Sequence, residues 1–200
     1  MKSPVLGSAP SSSSGAVFGE ILRQSDRERG VAYLQQTRDG VVASITGLSE
    51  AQMKFKAAAG RWSVAETLEH IALVEDLIFQ NLTNKIMQAP PAAGDRDVAE
   101  IDAMVMAMVP DRSRTFNAPQ SLVPTGCCTP VESLVRFQKS RAKTIEFLQS
   151  TPNLREHSAE SRALQQPLDA YQWVLFMAAH SERHTKQILE VKADPAFPKN

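Results

Sequence analysis

His180 and His184 lie four residues apart in the segment AAHSERHTKQI. On a helix, residues at i and i+4 project from one face a turn apart, so two imidazoles at that spacing can share one divalent ion. A third imidazole, His70, falls in a different apolar-periodic segment, on the flank that also carries Val74 and Leu77. Three neutral imidazoles on facing helices would hold a dication and leave coordination positions open for water or substrate. Such open positions separate a catalytic metal site from a closed structural one. The pattern is not the HExxH of zinc proteases, because Ser181 follows His180 and Glu182 points away from the pair. Spacing alone fits two outcomes equally: metal ligands, or hydrogen-bonded histidines at the edge of a core.

Other side chains could serve the same chemistry. Gln138 and Arg141 lie on or beside an apolar stripe between Leu134 and Ile145. They read either as an anchor for a substrate carboxylate or as a solvated edge with Arg141 snorkelling. His157 sits in the loop before the segment that holds His180, as a proton donor or base for the site or as an exposed loop residue. Arg183 and Gln187 flank the histidine pair and could hydrogen-bond to it, whereas Glu66, one turn before His70, fits a helix cap better. Trp62, Trp173, Phe176 and Met177 read as core or site lining. Cys127 and Cys128 are adjacent and precede a helix start, which can lower a thiol pKa, but no histidine is near them in sequence.

These residues need rigid elements to position them, and the chain reads as helices. Ser25-Asp26-Arg27-Glu28 has the form of a capping box and predicts a first helix to about Gly47, with Val31, Leu34, Val41 or Val42 and Ile45 inward. Ser63-Val64-Ala65-Glu66 predicts a second, to about Met87, with Trp62 stapling its start. Pro90 and Pro91 stop that helix, and a short one is expected from Asp97 to Met108, ended by Pro110. Residues 111–128 read as a long irregular crossover. Thr129-Pro130 then opens a third long helix to about Gln149, with Val131, Leu134, Ile145 and Leu148 inward. Residues 151–167 read as loop, and Asp169 opens the last helix, to about Lys192. No segment shows convincing period-2 alternation. Four long helices with a long crossover that carries a short extra helix describe an all-α four-helix bundle. Residues 1–17, with a Ser run and no apolar h-region, read as a mobile N-terminal tail before one domain over residues 18–200.

Composition limits the partners. In 200 residues, 22 Lys+Arg balance 22 Asp+Glu, and no basic block exists, so neither nucleic acid nor an anionic membrane surface is an expected partner. No stretch reaches the ~20 apolar residues of a membrane span. The densest apolar run, Ala170–Ala179, is interrupted only by Gln172 and reads as a bundle centre or a subunit contact, which makes a homodimer the expected assembly. Adjacent cysteines cannot form an unstrained disulfide, so a reducing, cytoplasmic setting is expected.

The segments GRWSVAETLEHIALVEDLIFQNL, VESLVRFQKSRAKTIEFL and LDAYQWVLFMAAHSERHTKQI, in this order and spacing, resemble the DinB/YfiT-like superfamily. The likeness spans about Ser25 to Lys192. It rests on a Trp-Ser helix start followed by His, and on an HxxRH pattern followed by Gln-Ile. The resemblance implies an up-down-down-up bundle and a divalent metal, most often nickel or zinc, bound by histidines that map onto His70, His180 and His184. Relatives in that superfamily include bacillithiol S-transferases and a mycothiol-dependent maleylpyruvate isomerase. By that resemblance the expected activity is transfer or addition of a low-molecular-weight thiol to an electrophilic small molecule. A metal-assisted hydrolase and a non-enzymatic metal- or small-molecule-binding stress-response bundle are the alternatives.

Overall fold

The computed structural model describes residues 21–92 and 96–199, so the tail expected at 1–17 lies outside the described residues. The elements run α1 (Gln24–Ile45), α2 (Glu50–Lys54), α3 (Val64–Asn84), α4 (Val98–Met108), α5 (Pro130–Ser150), β1 (Ser158–Ser161), β2 (Gln166–Asp169) and α6 (Ala170–Lys192). The long helices α1, α3, α5 and α6 form the bundle.

Local sequence sets most helix starts. Ser63 with Glu66, Thr129 with Glu132, and Asp169 with Gln172 each form both bonds of a capping box, and Ser49 with Gln52 does the same for α2. The first helix departs from expectation. Ser25 lies inside it, Arg23 is the cap residue and sends its side chain to the Asp26 carboxylate rather than to a helix N–H, and Glu28 accepts from Gln24 instead. Tertiary contacts decide this start: Leu22 and Asp26 are buried, and Tyr171 donates its hydroxyl to the Asp26 carbonyl at 2.5 Å.

Long-range bonds give the helix directions. Arg27 of α1 reaches the Leu148 and Thr151 carbonyls at the end of α5, while Arg141 near the middle of α5 reaches Leu34, so α1 and α5 are antiparallel. Tyr33 bonds Glu182 and Lys192 bonds the Ser44 carbonyl, so α1 and α6 run together. Asp76 with Arg136 and Phe79 with Phe147 place α3 alongside α5 in the same direction. The result is the up-down-down-up order. Helices α1 and α3 sit on one diagonal and α5 and α6 on the other, whereas α3 and α5 are parallel neighbours, so the crossover between them must run back along the outside of the bundle. Gly30 lets α1 approach α6, because a Cβ there would meet the Tyr171 ring at 2.9 Å.

Two apolar clusters fill the interior. One gathers Leu34, Val74, Ile78, Leu148 and Leu175; the other gathers Val41, Leu68, Ile71, Phe137 and Ile188. A buried polar layer lies where they meet: Thr37, Arg141 and Ser181 each fall between the two sets along their own helices, and Glu75, just past the boundary on α3, joins them through Arg141. The run Ala170–Ala179 is buried within its own chain, with only Trp173 and Phe176 partly open. The apolar surface that suggested a subunit contact is therefore used inside this bundle.

The loop expected at 151–167 contains strand structure: β1 and β2 pair antiparallel from Ser158↔Asp169 to Ser161↔Gln166. A hairpin this short shows no alternation, and it is held by tertiary packing of Leu154 and Leu168. The short helix α4 packs on α6 through buried charge. Arg155 bonds both carboxylate oxygens of Asp102 and also Asp169, the cap of α6. Among the described residues, no helix is long and apolar enough to cross a membrane.

Candidate metal centre

The capping box at Ser63 fixes the phase of α3 and turns His70 inward two turns later, toward the face of α6 that carries His180 and His184. The three ring nitrogens converge. His180 Nε2 lies 3.2 Å from His70 Nε2 and 3.1 Å from His184 Nε2. A tetrahedral ion held at ~2.0–2.1 Å from each nitrogen needs ligands roughly 3.3 Å apart. The observed spacing is close to that before any adjustment. These residues are the one group of three or more potential ligands that could hold a metal among the described residues.

Partners on the far side of the rings fix which nitrogen carries the proton. His70 Nδ1 lies 2.8 Å from the Leu122 carbonyl, and His184 Nδ1 lies 2.9 Å from Gln187 Oε1. Both oxygens only accept, so both Nδ1 atoms donate and both Nε2 atoms present bare lone pairs to His180. A single N–H on His180 Nε2 would have to serve two acceptors, whereas a dication satisfies all three nitrogens. The donor set therefore fits a divalent metal. Burial pushes the pKa of all three histidines below the ordinary imidazole value, strongly for His180 and His184, and the neighbouring imidazoles and Arg183 add to the effect on those two. The neutral, metal-binding form is thus favoured at pH 7.

The rings form part of the wall of an open cavity of about 780 Å³ with apolar walls from Val74, Val109, Phe116, Leu122 and Phe176. Trp62, just before the α3 cap, lays its indole 4.7 Å from the His70 ring and 6.4 Å from the His184 ring. Arg183 points from α6 into the crossover, donating to the carbonyls of Val109, Asp111 and Arg114, with the Phe116 ring 5.0 Å from its guanidinium. These bonds hold the irregular crossover against the histidine helix.

The other sequence candidates lie elsewhere. Arg141 is completely buried in the polar layer and donates to Glu75, Leu34, Thr37 and Ser181, so no N–H remains for a substrate. Gln138 is exposed, because the buried positions Ser133, Phe137, Arg141 and Thr144 turn it outward. His157 is held by the Ala89 carbonyl at 2.6 Å, bridges to Pro91 and does not line the cavity. Glu66 caps α3 and meets Lys56, while Glu182 accepts from Tyr33 on another flank. Cys127 Sγ sits 3.6 Å from Cys128 Sγ and 3.5 Å from Glu69, and neither thiol lines the cavity. The Cys127 contact and nearby acidic charge raise the Cys128 pKa, opposite to what an activated nucleophile needs. Sequence reasoning flagged Gln187. It missed the Leu122 carbonyl, for which a backbone acceptor in an irregular crossover leaves no signal.

The chain belongs to the DinB superfamily, whose sequence model matches residues 33–188 and so includes all three histidines. Among individual proteins, the uncharacterized YuaE of Bacillus subtilis (strain 168) is 26% identical over 155 residues, covering 74% of this chain and 88% of that protein. YfiT from Bacillus subtilis, whose structure is described as that of "a probable metal-dependent hydrolase with an unusual four-helix bundle topology", shares the fold. Its TM-score is 0.56 at 12% identity, covering 90% of this chain and 93% of that one.

Proposed function

We propose that this chain is a metal-dependent enzyme that joins a low-molecular-weight thiol to an electrophilic carbon. The observation that carries the reading is a set of three convergent Nε2 atoms in the wall of an open cavity lined by no Asp or Glu among the described residues. His70, His180 and His184 would hold the ion, with zinc or nickel the borderline dications that suit imidazole. A dication bound there supplies a positive charge that favours the thiolate of a thiol whose free pKa is about 8.5. The Leu122 carbonyl and Gln187 keep the rings aimed, and Trp62 and Phe176 limit water around the reacting sulfur. The thiol releases its proton to solvent and forms a carbon–sulfur bond. The leaving group departs with the electron pair, or in an addition the adjacent atom takes up a proton from water. No carboxylate base is needed, since a thiol of pKa about 8.5 requires only a modest lowering to ionise near pH 7.

Hydrolysis is the second reading, favoured by the shared fold with YfiT and its description. It asks the centre to bring a bound water from ~15.7 to near 7 with no carboxylate lining the cavity to take the proton.

Elemental analysis of protein purified without an affinity tag, followed by a panel of thiols and carbon electrophiles, tests the proposal. About one zinc or nickel per chain is expected, with thiol consumption that His180→Ala abolishes together with the metal. Stoichiometric metal in a protein that consumes no thiol, yet cleaves esters at a rate indifferent to thiols, would replace the first reading by the second.

A further inference from the structure

The cavity beside the histidines has a one-sided charge. Arg61, Arg112, Arg162 and Arg183 contribute to its lining and no acidic residue does. Two of these guanidinium groups are already engaged. Arg112 is paired with Glu190 at 2.7 and 3.0 Å, so its charge is answered. Arg183 donates only to backbone carbonyls and faces the Phe116 ring, and its charge is answered only at a distance, by Asp111 and Glu190. Arg61 and Arg162 are exposed, and neither has a hydrogen-bonded or ion-paired side-chain partner among the described residues, although Glu190, already bonded to Arg112, lies near enough to Arg61 to feel its charge. Arg61 comes from the loop just before Trp62. Arg162 comes from the turn of the β1–β2 hairpin.

Three neutral imidazoles holding a dication would add two further positive charges to this space, because no protein ligand is anionic. A neutral ligand would leave the excess uncompensated inside partly apolar walls, where charge is costly to leave unpaired. A ligand with an oxyanion would be drawn in by the field and gripped by planar guanidinium groups that match carboxylate or phosphate oxygens. The volume, about 780 Å³, has room for a molecule that reaches from the metal to the mouth.

We propose that the small molecule taken by this cavity carries a carboxylate or phosphate group in addition to the atom that meets the metal, and that Arg61 and Arg162 bind that oxyanion at the mouth. The inference rests on the reading of the histidine cluster as a metal centre, and it adds the substrate's charge and the residues that read it. Both arginines lie outside the helices and are exposed, so their replacement leaves the bundle intact.

The test is calorimetric titration of the zinc-loaded full chain with 3-mercaptopropionate and with its neutral counterpart 3-mercapto-1-propanol. The acid should bind at least tenfold more tightly. The Arg61→Gln/Arg162→Gln double variant should lose that preference while keeping its zinc content and its affinity for the neutral thiol. Equal affinity for both thiols in the wild-type chain, or a preference that survives the double variant, overturns the proposal. Glutarate and inorganic phosphate, which lack a thiol, separate the two kinds of oxyanion and separate this proposal from the thiol reading. Arginine-dependent glutarate or phosphate binding by a chain that ignores both thiols would sustain the oxyanion site and sink the thiol reading. Thiol binding without a charge preference would do the reverse.

Discussion

Two polar clusters sit in the middle of this bundle, and they differ in how completely they are satisfied. Arg141 has five N–H groups and uses all five, on both Glu75 oxygens, the Leu34 carbonyl, Thr37 and Ser181. One residue along α6 from Ser181, His180 faces His70 and His184 across an array in which acceptors outnumber protons. The first cluster is closed: charge meets charge and every donor has an acceptor. The second is complete only with an additional cation. Both are buried and both join several helices, so burial alone does not distinguish scaffold from site. The balance of donors and acceptors does.

The contrast is sharpest where one cluster is opened. Arg141→Met leaves the Glu75 carboxylate buried without its partner and should cost about 3–5 kcal/mol of stability, read as a lower urea midpoint. The Arg141→Met/Glu75→Leu double variant should regain most of that loss, since a matched apolar pair removes the unpaired charge. If the single variant unfolds at the wild-type midpoint, the polar layer does not hold the bundle together.

On the other cluster, Gln187→Leu removes the acceptor that fixes His184 Nδ1. Metal affinity, measured by competition with a chelator, should weaken by about 10–100-fold with the unfolding midpoint of the metal-free chain nearly unchanged. An unaltered affinity would mean that the ring needs no such partner.

The histidine cluster should also give the metal-free protein a pH-dependent stability. The folded-state pKa values of His70, His180 and His184 lie below the unfolded value of about 6.5. The unfolded chain therefore takes up protons first as the pH falls. The contribution is fully present above about 6.5 and is lost as the pH drops through the folded-state values. Urea midpoints should decline from pH 7.5 to 5.5, and His180→Gln should flatten the decline. A pH-independent wild-type midpoint in that range would contradict the burial assigned to these rings.

The smallest effect is expected at Gln138. Its side chain is exposed, so Gln138→Ala should change stability by less than about 0.5 kcal/mol and leave metal content and thiol consumption alone. A loss of activity there would restore it as a site residue.

Much of this was legible in the chain because it is local. Ser63, Thr129 and Asp169 satisfy free helix N–H groups within three residues, so their helices begin where the sequence places them. The i, i+4 spacing of His180 and His184 puts both on one face of α6 before any packing is known. The Ser25 box misled because the same local pattern lost to contacts with Tyr171, a residue far along the chain. Arg141 showed its position on the stripe and concealed its role, since all five of its bonds go to other helices, to Leu34 and Thr37 on α1, Glu75 on α3 and Ser181 on α6.

The sequence by itself determined the four long helices, most of their inward faces and the spacing of the ligands, because helical period and capping act over a few residues; Val131, expected inward, stands exposed in the first turn of α5. Only the tertiary structure decided that His70 meets His180, that the Leu122 carbonyl sets its tautomer, that Arg141 closes a polar layer, and that Arg61 and Arg162 border one cavity. Those relations join residues across the crossover and the hairpin. Irregular backbone has no period to announce where its carbonyls and side chains will land, so packing against α3 and α6 has to place them.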